Sequence, residues 1–157
     1  MEEYIQPFIK VCESVFRDFC KTEVKVGRVF FMVRDKQEMD WDISGIIGLS
    51  GQISGAVSIS MKDTVAFKVT KNLTGVEHNS FDLDVVDAVG EIINIITGNI
   101  KKEFEESFRT AISLPSIVQG KGHRIIWPSE RIRIICIPFS IFSEQEIFLS
   151  IAIEEKR

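Results

Sequence analysis

The 157-residue chain is poor in the residues that most often carry chemistry by themselves: two histidines, three cysteines and one tyrosine. Cys12, Cys20 and Cys136 are odd in number, lie inside apolar patterns and have no metal-ligand spacing. They read as small buried hydrophobes in a reducing compartment. His78 and His123 fall in segments read as loops with no ligand pattern beside them, so no metal is expected to be held by this chain. There is no glycine-rich phosphate loop of the G-x-x-x-x-G-K type, no G-x-S-x-G elbow and no Ser/His/Asp constellation. The net charge is −4 and the basic residues are scattered, which argues against a nucleic-acid partner. No apolar run approaches the roughly 20 residues that span a bilayer. The longest, near Ile132 to Phe142, is broken by Arg133, Pro138 and Ser140. The acidic start MEEYIQPF does not read as a secretory signal. The expectation is a soluble, cytoplasmic protein with no membrane contact.

What is present is a well-supplied core. Apolar residues make up 45% of the chain and charged residues 27%, ordinary for a globular protein, and the length suits one domain over residues 1–157. The twelve phenylalanines fall on apolar patterns and read as core rather than as a base-stacking platform.

Helical spacing of Ile5, Phe8, Ile9, Cys12, Val15, Phe16 and Phe19 predicts a first helix over residues 3–21, with Pro7 tolerated in its first turn. A partly exposed strand is predicted at 24–34 and a charged loop at 35–42. Strands at 43–49 and 53–60 are joined by the hairpin turn Ser50-Gly51-Gln52. A helix over 62–73 has Ser60 or Asp63 as cap and Gly75 as stop. The longest helix is predicted over 82–108. Strands follow at 112–119, 131–139 and 145–154, with Gly120-Lys121-Gly122 as a turn and Trp127-Pro128-Ser129 as a loop or edge break. The order suggests two pseudo-repeated αβββ units with a linking helix, an α+β fold with long helices packed on an antiparallel sheet. The last strand alternates Ile147, Leu149, Ile151 and Ile153 with Phe148, Ser150 and Ala152. Its second face is not clearly polar, so a partner or another element is expected to cover it.

The most informative stretch is DAVGEIINIITGN, beginning at Asp87. At 100° per residue, Val85, Val89, Ile92, Ile93, Ile96 and Ile100 share one face. Asp87, Glu91, Asn94 and Gly98 line up on the opposite one, with Gly90 at its border. Two glycines and an asparagine forgo about 2–3 kcal/mol of helix propensity. Such a departure from local rules tends to mark function. The stripe reads as a flat surface that another molecule's backbone approaches, with a carboxylate and a carboxamide standing up from it. Taken by itself it is also compatible with an ordinary solvated face, or with Asn94 as a buried hydrogen-bonding group.

The pattern D-x-x-x-E-x-x-N, filled by Asp87, Glu91 and Asn94, resembles the signature of the CheC/CheX/FliY phosphatases. The opening YIQPFIKVCESVF and the stretch DISGIIGLSGQISGAVSIS resemble the CheX branch in the same order, so the likeness spans nearly the whole chain. The resemblance implies an enzyme that hydrolyses the aspartyl-phosphate of a CheY-like chemotaxis response regulator. It implies that Asn94 orients the attacking water and that Glu91 pairs with the regulator's active-site lysine. Asp87, Gly90 and Gly98 are then supporting residues at the partner surface. Mg²⁺ is expected in the regulator and no cofactor in this chain. CheC-type members carry the Glu/Asn pair on both pseudo-repeats. Here the first helix offers Glu13 but has Phe16 three residues later, so one active site per chain is expected. The resemblance also implies a homodimer joined through sheets, which the apolar last strand would suit. The rival expectation is a non-catalytic docking module for a regulator or a flagellar switch component.

Overall fold

The computed structural model describes residues 2–32, 40–106, 109–127 and 132–155. Three helices, α1 (Glu2–Asp18), α2 (Asp63–Thr74) and α3 (Leu83–Phe104), pack on one antiparallel sheet. Its strands are β1 (Lys25–Val26), β2 (Phe30–Phe31), β3 (Trp41–Gly51), β4 (Ile53–Met61), β5 (Thr110–Ile112), β6 (Ser116–His123), β7 (Ile134–Ile141) and β8 (Gln145–Glu155). The main order is β1-β7-β8-β4-β3-β5, with β2 also on β7 and β6 also on β3.

The order reads the same from both ends. Exchanging β1/β2 with β5/β6, β3 with β7 and β4 with β8 returns the same sheet, so the two αβββ units interlock about a central β4–β8 pair. The alternation of strand side chains sends Ile43, Ile47, Val57, Ile59, Ile137, Leu149 and Ile151 into one core with the helices. The intervening Ser44, Ser58, Ser60, Cys136, Ser150 and Ala152 are buried as well. Phe148 on that second face meets the rings of Trp41 and Phe30, at 4.7 and 5.8 Å between centroids. β8 is therefore an interior strand paired on both edges and covered on both faces from within the chain. Its apolar pattern does not call for a partner copy.

Several boundaries differ from the sequence reading. The first helix ends at Asp18 and begins at Glu2, which places Pro7 in its second turn rather than its first. Of the strand predicted at 24–34, the described residues form two short pieces, β1 and β2, on the edge of β7, and positions 33 and 34 lie outside the described residues. The strand predicted at 112–119 is also two pieces, both on β3. Gly120-Lys121-Gly122 does not end a strand. It bulges out of β6 between the pairs Trp41–His123 and Ile43–Gln119, with Gly122 at φ 72°, a backbone state glycine enters freely. The N-terminus of α2 is not capped by Ser60, and Asp63 serves it only from inside the first turn, its Oδ1 accepting from the Thr64 N–H at 2.6 Å. Ser60 bonds Ser44 inside the sheet at 2.7 Å, and Asp42 Oδ2 accepts from the Asp63 N–H at 2.9 Å instead. Gly75 does stop α2, at φ 73° with its N–H on Lys71 O. The predicted loop positions 35–39, Pro128 and Ser129, the strand start Arg131 and the helix end Phe108 lie outside the described residues.

α3 seats directly on the sheet. A Cβ at Gly45 of β3 would lie 3.0 Å from Ile93 Cγ2 and 3.3 Å from Val89 Cγ1, so a larger residue there would push the helix outward. Val85, Val89, Ile92, Ile93, Ile96 and Ile100 are all buried, which turns the opposite face outward.

Candidate functional site

That outward face carries the polar stripe. Asp87, Glu91 and Asn94 are all exposed. Among the described residues their side chains make no intramolecular hydrogen bond or ion pair. Glu91 and Asn94 are three residues apart, about 60° around the helix, so both emerge on one side. A carboxylate and a carboxamide thus project unpartnered from a helix whose other face is locked into the core.

The two glycines differ. A Cβ at Gly98 would meet nothing within 4 Å, so the bare backbone there answers no packing need inside the chain. Gly90 is buried instead. Its Cβ position lies 3.7 Å from Ile117 Cδ1 and 3.9 Å from Pro115 Cγ. Gly90 therefore packs beside the segment between β5 and β6 at ordinary contact distances, and it still lines the concavity along the stripe.

A shallow concavity runs along the stripe. Asp84, Asp87, Glu91 and Asn94 line it together with Phe19 and Leu73 from the ends of α1 and α2, and with Leu114, Pro115 and Ile117. The periodicity of α3 could not reveal the latter groups, because they arrive from distant segments. Leu114-Pro115, two apolar residues in a predicted strand interior, was the one available signal.

The start of α3 is firmly held. Asp82 Oδ1 accepts from the Val85 N–H at 3.0 Å, and Asp82 Oδ2 lies 2.7 Å from His78 Nδ1. The other ring nitrogen of His78 lies 3.0 Å from Thr74 Oγ1. The His78 hydrogen bond, chiefly, with the Val85 N–H second, holds the Asp82 carboxyl below the usual carboxylate range. His78 is thus not the isolated loop residue its sequence context suggested: the turn back into α3 brings it to Asp82, with Asp84 close by. Both of its ring nitrogens already have partners, so the group reads as a helix cap. His123 sits at the end of β6, between Ser44 Oγ and Gly120 O at 2.8 Å each.

The cysteines supply no nucleophile. All three are buried, and burial raises the Cys12 thiol far above its ordinary value, pushes Cys20 up to about 12 and raises Cys136. A thiol that stays protonated cannot attack a phosphoryl group. What the stripe offers is a carboxylate and a carboxamide without internal partners.

The family profile of chemotaxis phosphatase CheX matches residues 43–140, which include the whole stripe. The CheY-P phosphatase CheX of Thermotoga maritima is 28% identical over 143 residues, 90% of this chain and 89% of its own. The crystal structure of chemotaxis protein CheX from Vibrio vulnificus is 32% identical, with a TM-score of 0.88 over 97% of this chain and 99% of that one. The CheX of the Borrelia burgdorferi CheX–CheY–BeF₃–Mg²⁺ complex is 27% identical, with a TM-score of 0.81 over 97% and 98% of the two chains.

Proposed function

The chain belongs to the chemotaxis phosphatase CheX family, and from that premise we propose that it hydrolyses the aspartyl-phosphate of a CheY-like response regulator, with Asn94 orienting the water and Glu91 docking on the regulator's lysine. The observation that carries the reading is the pair itself: Glu91 and Asn94 are exposed, adjacent and unpartnered on a helix held rigid from behind.

An acyl phosphate is already reactive. Its hydrolysis needs a water in line with phosphorus and neutralisation of the phosphoryl charge. In this reading the regulator supplies the neutralisation through its own Mg²⁺ and lysine, and this chain supplies no cofactor. The carboxamide of Asn94 both accepts and donates hydrogen bonds without adding charge. A carboxylate in its place would repel the phosphoryl group. Glu91, one step around the helix, gives up no internal partner when it meets an ammonium. Gly98 lets the regulator's surface approach the helix backbone, and Asp87 extends the acidic edge of the contact. Residues 1–157 act as one phosphatase domain in the cytoplasm, where such regulators work, and a homodimer is the state the resemblance implies. No helix of the described residues is long and apolar enough to cross a membrane.

The test is phosphate release from an excess of phosphorylated regulator by catalytic amounts of protein. Wild type turns over many equivalents. Asn94→Ala binds the regulator but hydrolyses about 100-fold more slowly, as expected when one positioning group is lost. Glu91→Ala loses affinity and rate together. Full activity in Asn94→Ala would remove the water-placing role. Binding without turnover by wild type would leave a docking module.

A further inference from the structure

Among the described residues the concavity along α3 is lined by three carboxylates, Asp84, Asp87 and Glu91, and by no cationic side chain. It does not attract a phosphoryl group, so the phosphate cannot be the handle by which a regulator is held. One lysine paired with Glu91 at an exposed site also contributes little net affinity. The affinity must come from another contact, and two side chains at this surface are built for one.

Leu114 is 87% exposed and Leu83 is 74% exposed. Leu83 does not line the concavity but lies on the same face of α3, one turn before Asp87 and about 40° from it. Leu114 flanks the stripe on the side where Pro115 covers Gly90. A lone exposed leucine is ordinary, but Leu114 is not on a loose loop. The Ser113 N–H donates to Gly48 O at 2.9 Å, and Ser113 Oγ accepts from the Gly48 N–H at 2.8 Å. The same hydroxyl donates to Leu114 O at 2.9 Å. Pro115 fixes the next backbone angle, and Ile117 is already in register with Gly45. The segment is pinned to the sheet on both sides of a side chain that contributes nothing to the core. A large apolar group held rigidly at the edge of a polar site needs little further ordering when it is buried by a partner.

We propose that Leu114, assisted by Leu83, is the apolar anchor that seats the regulator, inserting into an uncharged recess beside its phosphoaspartate pocket. The inference rests on the function proposed above. It divides the work: the leucines set affinity and partner choice, and Glu91 and Asn94 act on the docked complex.

The experiment measures steady-state hydrolysis of phosphorylated regulator, and binding of regulator activated with beryllofluoride, for wild type, Leu114→Ser, Leu83→Ser and Ile126→Ser. Ile126 is 63% exposed and lies neither in the concavity nor on α3, so it reports what removing any surface apolar group does. Leu114→Ser should raise KM and Kd on the order of 10-fold with kcat and melting temperature unchanged. Leu83→Ser should do the same to a smaller extent, and Ile126→Ser should match wild type. An unchanged KM in Leu114→Ser with an active wild type overturns the anchor and leaves the phosphatase reading intact. A fall in kcat at constant KM also overturns it. So does a change in sedimentation from dimer to monomer with KM unaltered, since Leu114 would then seal two copies of this chain. No acceleration by wild type overturns both proposals.

Discussion

At the scale of single residues, Gly98 separates a folding requirement from a functional one. Outside its own helix backbone, nothing among the described residues lies within 4 Å of where its Cβ would be, so the missing methyl is a loss of helix propensity, about 1 kcal/mol. Gly98→Ala should raise the melting temperature by about 2–4 °C for a chain of this size. If the helix backbone there faces the regulator, the same variant should raise KM while kcat falls little. Thermal melts and steady-state kinetics on one preparation check both halves. A variant that is more stable and equally active would mean that the glycine serves no contact. Asn94 and Glu91 are exposed and unpartnered, so the only stability change expected there is a small gain in helix propensity in Asn94→Ala. Substitutions there should leave the fold untouched and read out chiefly in chemistry.

At the scale of elements, what the sequence revealed follows from how far each signal reaches. The buried face of α3 was legible residue by residue, because helical periodicity is written into consecutive positions and Val85 through Ile100 obey it. The polar stripe was legible for the same reason. The edge strands were not. The described residues of 24–34 and of 112–119 each form two pieces, and their bounds are set by pairing with the distant strands β7 and β3, which no local pattern reports. The cap of α2 was illegible because Asp42 reaches it from β3. The walls of the concavity come from α1, α2 and the β5–β6 segment, and no local pattern announces that they meet. The cap of α3 gives a test by pH. The Asp82 carboxyl is held below its ordinary range by His78 and by the Val85 N–H. A carboxyl so depressed in the folded state stabilises the fold above its unfolded value, near pH 4, and loses that contribution as pH falls through its folded value. Asp82→Asn keeps a capping oxygen but not the charge. The melting-temperature difference between wild type and Asp82→Asn should be full at neutral pH and shrink below about pH 4. A difference that grows in acid would contradict the cap.

At the scale of the whole molecule, the palindromic sheet places α1 and α3 in related positions, yet the two helices have diverged in what they turn outward. α3 presents Glu91 and Asn94. α1, which carries Glu13, has Phe16 fully buried in the core three residues later. A second site on α1 would need a carboxamide where the fold needs an aromatic ring. Phe16→Asn should therefore destabilise the protein by at least about 3 kcal/mol and create no second activity. The symmetry thus serves to build a sheet interlocked about the β4–β8 pair, on which α3, the helix that carries Glu91 and Asn94, is seated. The consequence is a count. Calorimetric titration with beryllofluoride-activated regulator should give one regulator per chain, and Glu91→Ala/Asn94→Ala should abolish turnover without leaving a residual slow phase. Two regulators per chain, or a second phase surviving that double substitution, would mean that α1 also engages the partner and that burial of Phe16 does not define the number of sites.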